Sequence, residues 1–85
     1  MKYSPRVSNT FDRELRRLRP TDRNPAWDAI QQIQESPFSH KAPMGRLSGT
    51  RAARAGDLRI MFAVNEDENR IILLHVGHRE RVYEH

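Results

Sequence analysis

Eighty-five residues suffice for one small domain, spanning 1–85, with a limited buried core and no room for a second. A composition of 36% apolar and 31% charged residues is that of a soluble chain, no run approaches the roughly 20 apolar residues of a membrane span, and the lack of cysteine excludes disulfides and thiolate chemistry. The net charge of +4 is unevenly placed: residues 1–20 carry six cations and two anions and residues 41–60 five and one, +4 in each, against −4 for the remainder.

Thirteen of the fifteen cations are arginine, Lys2 and Lys41 being the two lysines. Arginine carries a planar fork of donors that fits phosphate, so the basic segments suggest a surface for a polyanion, weighed against a merely solvated basic face. The opening Met1-Lys2-Tyr3-Ser4-Pro5-Arg6 lacks the apolar core of a secretory signal, and with the absent cysteine this suits the cytoplasm.

Residues 2–8 read as a short strand with Tyr3, Pro5 and Val7 on one side, and Pro5 sends it to a sheet edge, where a missing N–H does no harm. Asn9 is the expected N-cap of a first helix, in which Phe11, Leu15 and Leu18 recur at i, i+4 and i+7. That helix stops near Pro20. A second is expected to begin at Asn24-Pro25, cap then first-turn proline, with Trp27, Ile30, Ile33 and Ala26 inward, and to end at Glu35-Ser36-Pro37. The outer face of the hairpin carries Arg13, Arg16, Arg17 and Arg23, read as a solvated face.

Residues 36–50 have neither helical nor strand period and read as a long surface loop. Strands follow at 50–55, 58–64 and 71–76, separated by a tight turn at Gly56-Asp57 and an acidic turn at 65–70. The order of strand, two helices and three strands predicts an α+β domain: an N-terminal strand, a helical hairpin, then a three-stranded antiparallel meander, with the helices on one face of the sheet.

Alternation along 58–64 turns Leu58, Ile60, Phe62 and Val64 toward the helices and Arg59, Met61 and Ala63 to the opposite, open face. With Ile72, Leu74 and Val76 facing the core, that open face also receives Ile71, Leu73 and His75. A bare patch of Met61, Ile71 and Leu73 would favour association, so the C-terminal tail or a partner is expected to cover it. His75-x-x-His78 lacks further ligands at zinc spacing, and no metal is assigned to it.

Two segments carry a resemblance. Arg54-Ala55-Gly56-Asp57-Leu58-Arg59 runs into an apolar strand, and Val76-Gly77-His78-Arg79 is followed by Val82-Tyr83. Together with Phe11-Asp12-Arg13-Glu14-Leu15 and the lead-in Arg46-Leu47-Ser48-Gly49, this ordered set resembles the RelE branch of the RelE/ParE toxin superfamily over nearly the whole chain, from about Tyr3 to Tyr83. The resemblance implies the toxin of a type II toxin–antitoxin system: a cytoplasmic, metal-independent and cofactor-free endoribonuclease that cuts messenger RNA in the ribosomal A site and is silenced by a cognate antitoxin.

In such chemistry the ribose 2′-hydroxyl attacks the adjacent phosphorus, which requires a proton acceptor, cations for the charged intermediate and a donor for the leaving 5′-oxygen. Arg59 matches the family's strand arginine at the scissile phosphate, and Arg79 matches the arginine of the Val-Gly-x-Arg motif. Tyr83 matches the C-terminal tyrosine, suited to base stacking or proton transfer. Arg54, Arg51 and Arg46 would add phosphate contacts. Best-studied members carry lysines on the second strand where this chain has Thr50-Arg51-Ala52-Ala53-Arg54, and arginine does not release its proton, so the general base is unassigned. His78, beside Arg79, is the nearest group to the motif able to shuttle protons. Two rivals are a ParE-like inhibitor of DNA gyrase and a catalytically inert RelE-fold binding module.

Overall fold

The computed structural model describes residues 2–39 and 49–78. Its elements are β1 (Ser4–Val7), α1 (Asn9–Arg16), α2 (Pro20–Glu35), a 3-10 turn (Pro37–Ser39), β2 (Thr50–Ala55), β3 (Leu58–Asn65) and β4 (Arg70–His78). The four strands form one sheet in the order β1-β4-β3-β2. Consecutive strands β2, β3 and β4 pair antiparallel as a meander, while β1 lies at the edge, parallel to β4. This is the expected α+β arrangement, and the edge position lets Pro5 lie opposite Ile71 without breaking an interior ladder.

The first helix is capped by Ser8 rather than Asn9. Ser8 is extended, its N–H still donates to Leu73 O at 3.1 Å, and its Oγ accepts from Phe11 N–H at 3.0 Å. The strand's last sheet bond and the helix's first cap bond therefore meet on one residue, leaving Asn9 as the first helical position. Phe11 is fully buried and Leu15 packs against the core; Leu18 is buried too, although it lies past the end of α1.

The second helix starts at Pro20, not at Asn24-Pro25. Both prolines satisfy the rule for a first-turn proline, but Arg19 adopts the extended cap conformation and its carbonyl accepts from Asp22 and Arg23. Pro25 is thus an interior proline whose missing N–H removes one bond early in the helix. Trp27, expected inside, is 49% exposed. The buried stripe is Ala26, Ala29, Ile30 and Ile33, one position out of phase with Trp27, and its two alanines let α2 come close to β2 and β3.

On the helix-covered face, Leu58, Ile60 and Phe62 join Ala53 and Ala55 from β2, and Val64 packs at the margin. In β4 the expected alternation fails. Ile71, Leu73 and Val76 are in the core, whereas Ile72 and Leu74 are half-buried and outside it. The reason is a bulge: Met61 pairs with His75 and Phe62 with Leu73, leaving Leu74 as an extra residue. One inserted residue reverses the phase, so Ile71 and Leu73 before it and Val76 after it all reach the same side. The anticipated bare patch is therefore absent as drawn, since Ile71 and Leu73 are core residues and Met61, outside the core cluster, is only 8% exposed.

Past Val7, β1 no longer covers the edge of β4, and α1 takes over. Ser8 Oγ–H donates to Leu74 O at 3.2 Å, and Glu14 Oε1 accepts from Val76 N–H at 3.0 Å. Side chains of the helix thus satisfy two backbone groups at the bulge that a neighbouring strand would otherwise have paired.

Candidate functional site

The register of the hairpin β2–β3 places Arg54 directly opposite Arg59, and that of β3–β4 places Gly77 on the other side of Arg59. Directly paired residues share a face, and this face is the one opposite Leu58, Ile60 and the helices. Arg54 is exposed and its Nε donates to Gly56 O at 3.4 Å, fastening its stem to the turn. Gly56 takes a positive φ of 63°, which glycine adopts without steric cost, and so closes the two-residue turn between Ala55 and Leu58. Arg59, the second residue of β3, is half-buried on the open face.

Like charges directly across a ladder repel. Two arginines at directly paired sheet positions, next to a glycine that contributes no side chain, make a small cationic platform of this end of the open face. Such a platform fits an anion of phosphate size, which accepts several N–H donors at once.

The other expected residues divide. Arg51 pairs with Phe62 and so leaves β2 on the helix side, where its Cζ lies 4.8 Å over the ring of Phe38, itself edge-on to Tyr3 at 6.4 Å between centroids. It is not brought together with Arg54 and Arg59. His78 is exposed at the end of β4, opposite Leu58, so its pleat position faces away from Arg59. Arg46, Arg79 and Tyr83 lie outside the described residues.

One neighbour of the platform was not singled out for chemistry by its sequence. His75 pairs with Met61, two residues from Gly77, and hence lies on the open face diagonal to Arg59. Its Nδ1 is 3.5 Å from Glu14 Oε1, the oxygen that also accepts from Val76 N–H. His75 and His78 leave β4 on opposite faces, and among the described residues no cluster of three or more His, Cys, Asp or Glu is placed to hold a metal. No helix among the described residues is long and apolar enough to cross a membrane.

A four-stranded sheet covered on one face by a helical pair and bearing arginines on the other defines a class, the RelE-type toxin fold. The chain superposes on the toxin–antitoxin complex RelBE2 from Mycobacterium tuberculosis with a TM-score of 0.86 at 25% identity, covering 93% of each chain. It superposes on a mutant of Escherichia coli toxin RelE in the free state with a TM-score of 0.77 at 20% identity, covering 95% of this chain and 87% of the other. By sequence it is 28% identical over 85 residues to Toxin RelG of Mycobacterium tuberculosis, across 98% of both chains. The chain belongs to the family described as ParE toxin of type II toxin–antitoxin system, parDE, which matches residues 5–83, and so to the RelE/ParE superfamily.

Proposed function

We propose that this toxin is a ribosome-dependent endoribonuclease that cleaves messenger RNA in the A site, acts in the cytoplasm without metal or cofactor, and is neutralised by a cognate antitoxin. The observation carrying this reading is the Arg54–Arg59 pair fixed across the β2–β3 ladder on the uncovered face. Arg59 binds the scissile phosphate and stabilises the charge that grows on it as the 2′-hydroxyl attacks; Arg54 holds the same or the adjoining phosphate. Arg79 is assigned to phosphate charge or the leaving group and Tyr83 to base stacking or proton transfer, as the family resemblance implies. Arg46 is assigned to a more distant backbone contact, whereas Arg51, on the helix side over Phe38, is given no part in the site. The similarity to Toxin RelG and to a RelE-type toxin crystallised in its antitoxin complex supports both the activity and the partner.

A second reading follows from the family's own description, which names ParE: inhibition of DNA gyrase without RNA chemistry. Primer extension on messengers in a cell-free translation mix separates the two. The ribonuclease gives codon-positioned breaks that disappear with Arg59→Ala. Intact messengers accompanied by cleaved gyrase–DNA complexes would establish the ParE-like reading instead, and no effect in either assay would leave an inert binding module.

A further inference from the structure

The arginines of the platform bind and stabilise charge but do not accept a proton, so the proposed reaction needs a base that the sequence motifs do not supply. The β4 bulge brings an imidazole to the open face. By inserting Leu74 it turns His75 to the open face, opposite Met61 and diagonal to Arg59, where strict alternation after a core-facing Leu73 would have sent it inward. The imidazole is about half exposed and therefore reachable by a ligand. Its Nδ1 lies 3.5 Å from Glu14 Oε1. Glu14 is in turn held by the Val76 N–H at 3.0 Å and by its place on α1, which Ser8 pins to the same stretch of β4. A carboxylate beside Nδ1 favours the tautomer with the proton on that nitrogen, leaving the lone pair of Nε2 as the acceptor.

We propose that His75, oriented by Glu14, is the general base of this site; the inference rests on the ribonuclease reading above. The 2′-hydroxyl proton passes to Nε2 of His75 as the O2′–P bond forms. The P–O5′ bond breaks, the departing 5′-oxygen takes a proton from water, and the hydroxide left behind recovers the proton from His75. The products are a 2′,3′-cyclic phosphate and a 5′-hydroxyl, with no net gain or loss of protons. His75 is the catalytic residue in this scheme and Glu14 a positioning residue.

Among the described residues, the imidazole has the Glu14 carboxylate of α1 beside it and Arg59 at the diagonal position on β3. Glu14→Gln keeps an acceptor for the Val76 N–H while removing the charge beside Nδ1, so the bulge stays intact in that variant.

The test is single-turnover cleavage of messenger on programmed ribosomes by the full chain. His75→Ala is expected to slow cleavage by about 100-fold or more, with the melting temperature retained and with part of the rate restored by added imidazole. Glu14→Gln is expected to slow the wild type but to have no further effect in the His75→Ala background, because the two act as one unit. Cleavage by His75→Ala at the wild-type rate overturns the inference, as does a loss that imidazole leaves unrepaired. A wild-type chain that leaves ribosome-bound messengers intact instead overturns the ribonuclease reading, and this inference with it.

Discussion

The two faces of the sheet are built from the same strands yet obey opposite rules. The helix side collects Phe11, Ile30, Ile33, Ile60, Phe62 and Ile71, all buried to within a few percent, and every one of them is apolar. The open side carries Arg54 and Arg59 in direct cross-strand pairing, a position at which like charges repel. On the proposed reading, stability and chemistry are thereby segregated by the pleat: alternate residues on β3 serve one or the other, and a substitution on one face should leave the other nearly untouched.

Three substitutions probe that contrast through stability. The largest effect on folding is expected from Phe62→Ala, which opens a cavity at the centre of the helix-covered face; chemical denaturation should show a loss of about 3–5 kcal/mol. Ser8→Ala removes the cap of α1 together with the bond to Leu74 O, and should cost about 1 kcal/mol or somewhat more in the same measurement. A loss as large as that of Phe62→Ala would mean that the α1–β4 junction, not the core, holds the fold. The smallest effect belongs to Arg16→Ala. Its ion pair with Asp12 at 3.2 Å is solvent-exposed, so about 0.5 kcal/mol or less is expected, shrinking further at high salt.

How far the sequence disclosed this arrangement depended on whether a stretch had a phase. Along Leu58-Arg59-Ile60-Met61-Phe62 the arginine marks the alternation, and the open-face position of Arg59 follows from it. Ile71-Ile72-Leu73-Leu74 is apolar at every position, so nothing in it reveals which pair faces inward or that Leu74 is the extra residue of a bulge. The misplaced start of α2 has a similar origin, because two proline-led segments satisfy the same local rule, and the helix begins at the earlier one, where the extended Arg19 is the cap and its carbonyl accepts from Asp22 and Arg23. Trp27 misled by its size: a large aromatic suggests the core, yet the stripe in register with the sheet is the one led by Ala26.

The site was legible in the same uneven way. The tight turn at Gly56-Asp57 and the two-residue period put Arg59 on the open face, while its direct pairing with Arg54 emerges only from the register of the hairpin. The approach of Glu14 to His75 spans α1 and β4, and no short motif records a contact between elements so distant in the chain. Arg51 illustrates the converse, a basic residue next to the site in sequence that the pleat sends to the other face to stack on Phe38.

The segregation of the two faces is tested most directly by the single-turnover cleavage rate of the Arg59→Ala chain on programmed ribosomes, measured alongside its thermal melting. A rate reduced by about 100-fold or more is expected, in a protein that melts at close to the wild-type temperature. Cleavage at the wild-type rate by the folded variant would contradict it.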